Sequence, residues 1–217
     1  MISSRKLFFL AGLALVSSLS HQSIAVAGIY EDLRWAVEDN NTTDIAKLLA
    51  RGADPNTPDE QGNTLLMVAA GHKNADLVDL LVNAGAKLNL RNKRGETAIM
   101  LASYRGFGDI VEKLYLKGAE INHPGWNPLI YAASGGHAGI IRLLLDGGVP
   151  VNSVSDNGTT ALMMAARGNH VEAVKVLLEH GADPSLRNEW GKTAMDWALS
   201  KNNHDISELL KTKRARQ

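Results

Sequence analysis

Cysteine is absent from all 217 residues, which excludes disulfides, thiolate metal sites and thiol nucleophiles and leaves stability to packing. The chain also lacks an excess of either charge. Its 23 basic side chains balance 23 acidic ones, so no global field draws in nucleic acid or an anionic membrane. No apolar run approaches the roughly 20 residues of a spanning helix, and none of the local motifs that mark enzymes is present: no HExxH, no Gly-x-Ser-x-Gly, no phosphate-binding loop and no dinucleotide fingerprint. What the chain does have, 45% hydrophobic and 21% charged residues, is the make-up of one folded domain.

The N-terminus reads as a targeting segment. Arg5 and Lys6 precede an apolar stretch from Leu7 to Val16, and Ala25-Val26-Ala27 supplies a small-x-small cleavage site before Gly28. Residues 1–27 are therefore expected to be a signal peptide cleaved after Ala27, giving a periplasmic or secreted mature domain of residues 28–217 with no stable membrane anchor. Leu13 stands where a lipoprotein box requires its cysteine, which excludes lipid anchoring there.

Downstream, two residue series recur together. Gly52, Gly85, Gly118, Gly148 and Gly181 each follow an apolar run, at steps of 33, 33, 30 and 33; Thr64, Thr97, Asn127, Thr160 and Thr193 each precede one, at steps of 33, 30, 33 and 33. Glycine just past a helix accepts the left-handed backbone that other residues resist, and Thr or Asn caps the next helix by accepting a backbone N–H bond. One series marks stops and the other marks starts. Between them lie two short helical stretches, as in Ala161–Ala166 and Val171–Leu178, parted by Gly168 and Asn169. Helices this short are marginal alone and must lean on neighbours.

The pattern resembles the ankyrin repeat, through Gly62-Asn63-Thr64-Leu65-Leu66, Gly158-Thr159-Thr160-Ala161-Leu162, Gly52-Ala53-Asp54-Pro55-Asn56 and Gly181-Ala182-Asp183-Pro184. The resemblance implies an all-α solenoid of about six helix-turn-helix repeats joined by finger loops. Their approximate spans are 29–58, 59–91, 92–122, 123–154, 155–187 and 188–217, the first and last serving as caps. Asp44 and Lys47 stand where internal repeats have Leu77 and Leu80, and Ser207 and Lys211 where another has Val174 and Leu178, so both ends are expected to turn polar faces outward. Trp35 and Trp197 fall at core positions of inner helices. The chain is also similar to exported bacterial proteins of this family, which implies a monomer that binds a protein partner, needs no cofactor or metal, and acts as scaffold or inhibitor. Such proteins bind through finger tips and the exposed face of the inner helices. By motif position that surface includes Glu60, Lys93, Arg94, Tyr104, Arg105, Trp126, Arg167 and Trp190, and Trp, Tyr and Arg are the residue types that anchor interfaces.

One finger is short. Gly125 follows Asn122 after three residues, where Gly62 and Gly95 follow Asn56 and Asn89 after six. This predicts a notch between neighbouring fingers with Trp126 at its floor, and offers an alternative function as a small-ligand or enzymatic site. His137 and His170 occupy the same position in successive repeats, where the family that the chain resembles commonly has a structural histidine, so the resemblance implies a role in the turn ahead of metal binding. The tail cations Lys211, Lys213, Arg214 and Arg216 read as a solvated end that complements the last helix dipole.

Overall fold

The computed structural model describes residues 41–214, with side chains to residue 212. The expected signal peptide, the position of Trp35 and the tail residue Arg216 lie outside the described residues, as do the side chains of Lys213 and Arg214. The described part is all-α and holds no sheet. Helix α1 (Thr42–Ala50) is followed by five pairs: α2 (Leu65–Gly71) with α3 (Ala75–Asn83), α4 (Ala98–Arg105) with α5 (Gly108–Leu116), α6 (Pro128–Gly135) with α7 (Ala138–Asp146), α8 (Ala161–Arg167) with α9 (Val171–Glu179), and α10 (Ala194–Ser200) with α11 (His204–Arg214). The even-numbered helices through α10 form an inner row, and the odd-numbered ones an outer row.

Residue size explains the curvature. Buried Ala69-Ala70, Ala132-Ala133 and Ala165-Ala166 let inner helices approach one another closely, while the outer row is filled by Leu77, Leu81, Ile110, Leu114, Ile140 and Leu144. Inner helices pack on one another more closely than outer ones do, so the solenoid bends with the inner row on its concave side.

The stops and starts do the work their chemistry suggests. The five stop glycines have φ between 83° and 93°. Thr64, Asn127, Thr160 and Thr193 each accept the N–H three residues on. Thr97 departs from the expectation: its backbone is extended as a cap requires, but its hydroxyl makes no capping bond and is buried without a partner.

Repeats are joined by clamps that recur with the period. Asn56, Asn89 and Asn152 accept from the backbone N–H of Lys87, Glu120 and Asp183 at 2.7, 2.9 and 2.9 Å. Asn122 should do the same to the residue two past Gly148, but that residue is Pro150, which has no N–H to give. Adjacent fingers are joined by Lys93 N–H to the Gln61 carbonyl and Glu189 N–H to the Asn157 carbonyl, both at 3.0 Å; among the described residues no such bond ties the shortened finger to either neighbour. The junction between the α6–α7 and α8–α9 pairs thus lacks both of these ties, and among the described residues keeps on that side only the side-chain bond from Asn127 Nδ2 to Ser153 Oγ at 3.0 Å. The clamp bonds lie in solvent, where a hydrogen bond contributes about 0.5–1.5 kcal/mol net. Asn89→Ala is accordingly expected to lower stability by about that much, and Asn122→Ala by less than about 0.5 kcal/mol, measured by urea unfolding. Equal losses would remove the clamp from the account.

The histidine pair has the structural role. The Nε2–H of His137 donates to the Tyr104 carbonyl at 2.9 Å and that of His170 to the Ser134 carbonyl at 3.0 Å; Asn203, one repeat on, donates from Nδ2 to the Ala166 carbonyl at 2.8 Å. Each ties a repeat to the end of the preceding inner helix.

Of the expected polar ends, the first is as read: Lys47 pairs with Asp44 at 2.8 Å in solvent. At the other end Lys211 is exposed and paired with Glu208, but Ser207 is buried, 3% exposed, and donates to the His204 carbonyl. Helix α11 turns Ser207 toward α9 and α10, so only the Lys211 side of that end is a polar face.

Candidate partner-binding surface

The concave face is built from the half-exposed side of the inner row. One position recurs there as Val68, Leu101, Tyr131, Met164 and Trp197, each partly buried, and Val68, Leu101, Met164 and Trp197 pack on the core beneath them. This corrects the reading of Trp197 as a core residue: its indole lies along the concave face, with the Arg167 guanidinium 5.1 Å from the ring centroid. The result is an apolar stripe crossing five repeats.

At its middle three rings meet. Tyr131 is flanked by Tyr104, at 6.3 Å and 81°, and by Trp126, at 5.9 Å and 82°, both edge to face. Such pairs add about 0.5–1.5 kcal/mol beyond their burial, which holds the rings in fixed relation. Tyr131 is fixed from a second direction, because its hydroxyl donates to Glu96 Oε1 at 3.1 Å. Burial, reinforced by the Glu96 carboxylate, holds the Tyr131 phenol above its ordinary value, so it stays a neutral donor. Glu96 in turn accepts from Arg94 Nε and Asn92 Nδ2, both at 2.8 Å, and Asn92 Nδ2 also reaches Asn63 in the preceding finger. A chain of polar contacts from Asn63 to Tyr131 therefore links three repeats beneath the aromatic cluster.

The residues chosen from the sequence divide accordingly. Tyr104 is 47% exposed and Trp190 58%, and Glu60, Lys93, Arg94, Arg105 and Arg167 are all exposed. Tyr104 and Trp126 come together through Tyr131, while Trp190 stands apart on the last finger, with no ring against it among the described residues. Arg94 is committed to Glu96 and Arg167 lies over Trp197, so Arg105 is the least engaged of the three arginines. Tyr131 and Glu96 were not among the candidates. The available signal was the recurrence of position 131 with Val68, Leu101, Met164 and Trp197.

The notch expected at Trp126 is not an open recess. The indole packs on the core and edge-on to Tyr131, and Asp156 of the next finger closes over Gly125, where an added Cβ would stand 2.6 Å from Oδ1. Glu96 and the Tyr131 hydroxyl, on the inner-row side of the indole, are bonded to each other.

Among the described residues no helix is long and apolar enough to cross a membrane, and no three His, Asp or Glu side chains stand together to hold a metal ion. No curated protein matches the sequence well enough to count as a relative. The family model described as ankyrin repeats (3 copies) matches residues 33–124, 100–188 and 129–216. Those overlapping matches run through nearly the whole of the described solenoid, and the chain belongs to the ankyrin-repeat family, a non-catalytic scaffold for protein–protein interaction.

Proposed function

We propose that the mature protein acts in the periplasm or outside the cell, where its concave face captures a folded protein partner and holds it as a scaffold or inhibitor. The observation that carries this reading is the fixed Tyr104–Tyr131–Trp126 cluster at the centre of a solvent-facing apolar stripe. Rings already held by packing and by the Glu96 contact lose little freedom on association, so affinity follows from anchor quality. A contact of standard size, about 800 Å² per partner, spans several repeats of such a face. The export part rests on the n-region, apolar stretch and Ala25-Val26-Ala27 site. N-terminal sequencing of the mature protein should begin at Gly28; an intact Met1 would reject export by cleavage.

For the binding face, Tyr104→Ala with Trp190→Ala is the cleanest test, because both side chains are exposed and neither truncation opens the core. The double variant is expected to keep its circular dichroism and to melt about 2–4 °C lower for want of the Tyr104–Tyr131 ring pair, while losing about 100-fold in affinity for a partner recovered from periplasmic extract, in line with truncating two interface anchors. Undiminished affinity would move the site elsewhere.

A further inference from the structure

The chain is neutral overall, but its charges are sorted by face. On the inner helices and the turns that follow them stand Lys73, Arg105, Arg167 and Lys201, against a single carboxylate, Asp196. That carboxylate is already engaged: the Thr193 amide and hydroxyl bind it at 2.8 and 2.9 Å in a capping box. The four cations are exposed, and none is within ion-pair distance of an acid among the described residues. The nearest carboxylates along the chain, Asp76, Asp109, Glu172 and Asp205, belong to the first turns of outer helices, where the amide dipoles favour them. The cations recur once per repeat except at α6, and they run beside the apolar stripe of Val68, Leu101, Tyr131, Met164 and Trp197.

We propose that the concave face receives an acidic segment of the partner protein, one in which carboxylates alternate with apolar or aromatic side chains. This rests on the concave face being the binding surface and adds the chemistry of what binds there. Charge complementarity selects the sign of the partner and steers its approach. The stripe selects the class: aliphatic Val68, Leu101 and Met164 give a phosphate backbone nothing to bind, whereas they suit the apolar side chains of an acidic peptide.

The test uses mature protein (residues 28–217) and three labelled probes: a random Glu/Tyr copolymer, a Lys/Tyr copolymer of equal length and ratio, and a single-stranded oligonucleotide. The Glu/Tyr copolymer is expected to bind saturably and the other two at least about tenfold more weakly. Arg105→Glu with Arg167→Glu should weaken Glu/Tyr binding by about tenfold or more, and Lys211→Glu on the outer helix should leave it within about twofold. Because Arg167 lies over Trp197, Lys73→Glu with Arg105→Glu carries the same expectation should the first pair lower the melting temperature. Stronger binding of the Lys/Tyr copolymer or of the oligonucleotide, or indifference to both charge-reversal pairs, overturns the proposal. Should capture of the partner be lost in Tyr104→Ala with Trp190→Ala but survive Arg105→Glu with Arg167→Glu, the binding face stands and the acidic partner is rejected.

Discussion

Replacing Gly136 with alanine is expected to destabilise the protein by about 3 kcal/mol, and most of that loss should disappear when His170 is also replaced by alanine. Gly136 ends α6 with φ of 78°, and a Cβ there would stand 2.6 Å from Cγ of His170, whose ring reaches across from the next repeat to the Ser134 carbonyl. Two costs combine. The left-handed backbone costs an L residue about 1–2 kcal/mol, and the forced overlap with a clamped ring adds about 1–3 kcal/mol. Gly106 stands in the same relation to His137, at 2.6 Å from Nδ1. Elsewhere in this turn Lys73 and Asn169 take φ of 60° without being glycine, and the following repeats bring Phe107 and Asn203 in place of histidine. Glycine is thus confined to turns that a following histidine covers. In a His170→Ala background, Gly136→Ala should cost only about 1 kcal/mol, the backbone part alone. Urea denaturation of the four members of the cycle measures the coupling, and an equal cost in both backgrounds would show that the ring does not set the constraint.

The same contacts show what the sequence made legible. Glycine stops, Thr and Asn starts and the deletion before Gly125 could be read because each depends on local backbone chemistry repeated at one period. The histidine role could be read because His137 and His170 share a register position at which the ankyrin-repeat family commonly has a structural histidine. Ser207 was misplaced because matching it to Val174 only says that a polar residue has replaced an apolar one. Whether that residue faces out depends on how α11 sits against α9 and α10. Tyr131 was missed for a related reason. Its contacts with Tyr104 and Trp126 join different elements, and only an inner helix laid beside its neighbour shows three rings meeting. The sorting of charge was hidden in a net value of zero, since it needs the knowledge that Arg105 and Arg167 lie on the inner row while Asp109 and Glu172 open outer helices.

The junction that lacks both the asparagine clamp and the finger backbone bond leads to the second large effect. Leu129 and Leu162 hold the same position in consecutive inner helices, at 0% and 1% exposure, and truncating either to alanine should cost about 3–4 kcal/mol in lost burial and cavity formation. The two losses should nevertheless differ in kind. Stability in a solenoid is nearly a sum of repeat and interface terms, so unfolding stays cooperative only while every interface outweighs the differences between repeats. Leu162 belongs to the stretch where Asn152 clamps Asp183 and Asn157 is bonded to Glu189, and those ties keep the neighbouring repeats together after truncation. Leu129 serves the junction with the α8–α9 pair, where Pro150 has removed the asparagine clamp and no backbone bond joins the short finger to the next, so that junction depends on the helix rows, the His170 clamp and the Asn127–Ser153 bond. Leu129→Ala is therefore expected to split the transition, with the segments before Gly148 and after Asn152 exchanging amide hydrogen at different urea concentrations. Leu162→Ala should lower the midpoint and leave a single transition. Mass-spectrometric hydrogen exchange across the urea series distinguishes the two; coincident exchange on both sides of Pro150 in Leu129→Ala would mean that the inner row alone couples the repeats, and the missing finger ties would then carry no cooperative weight.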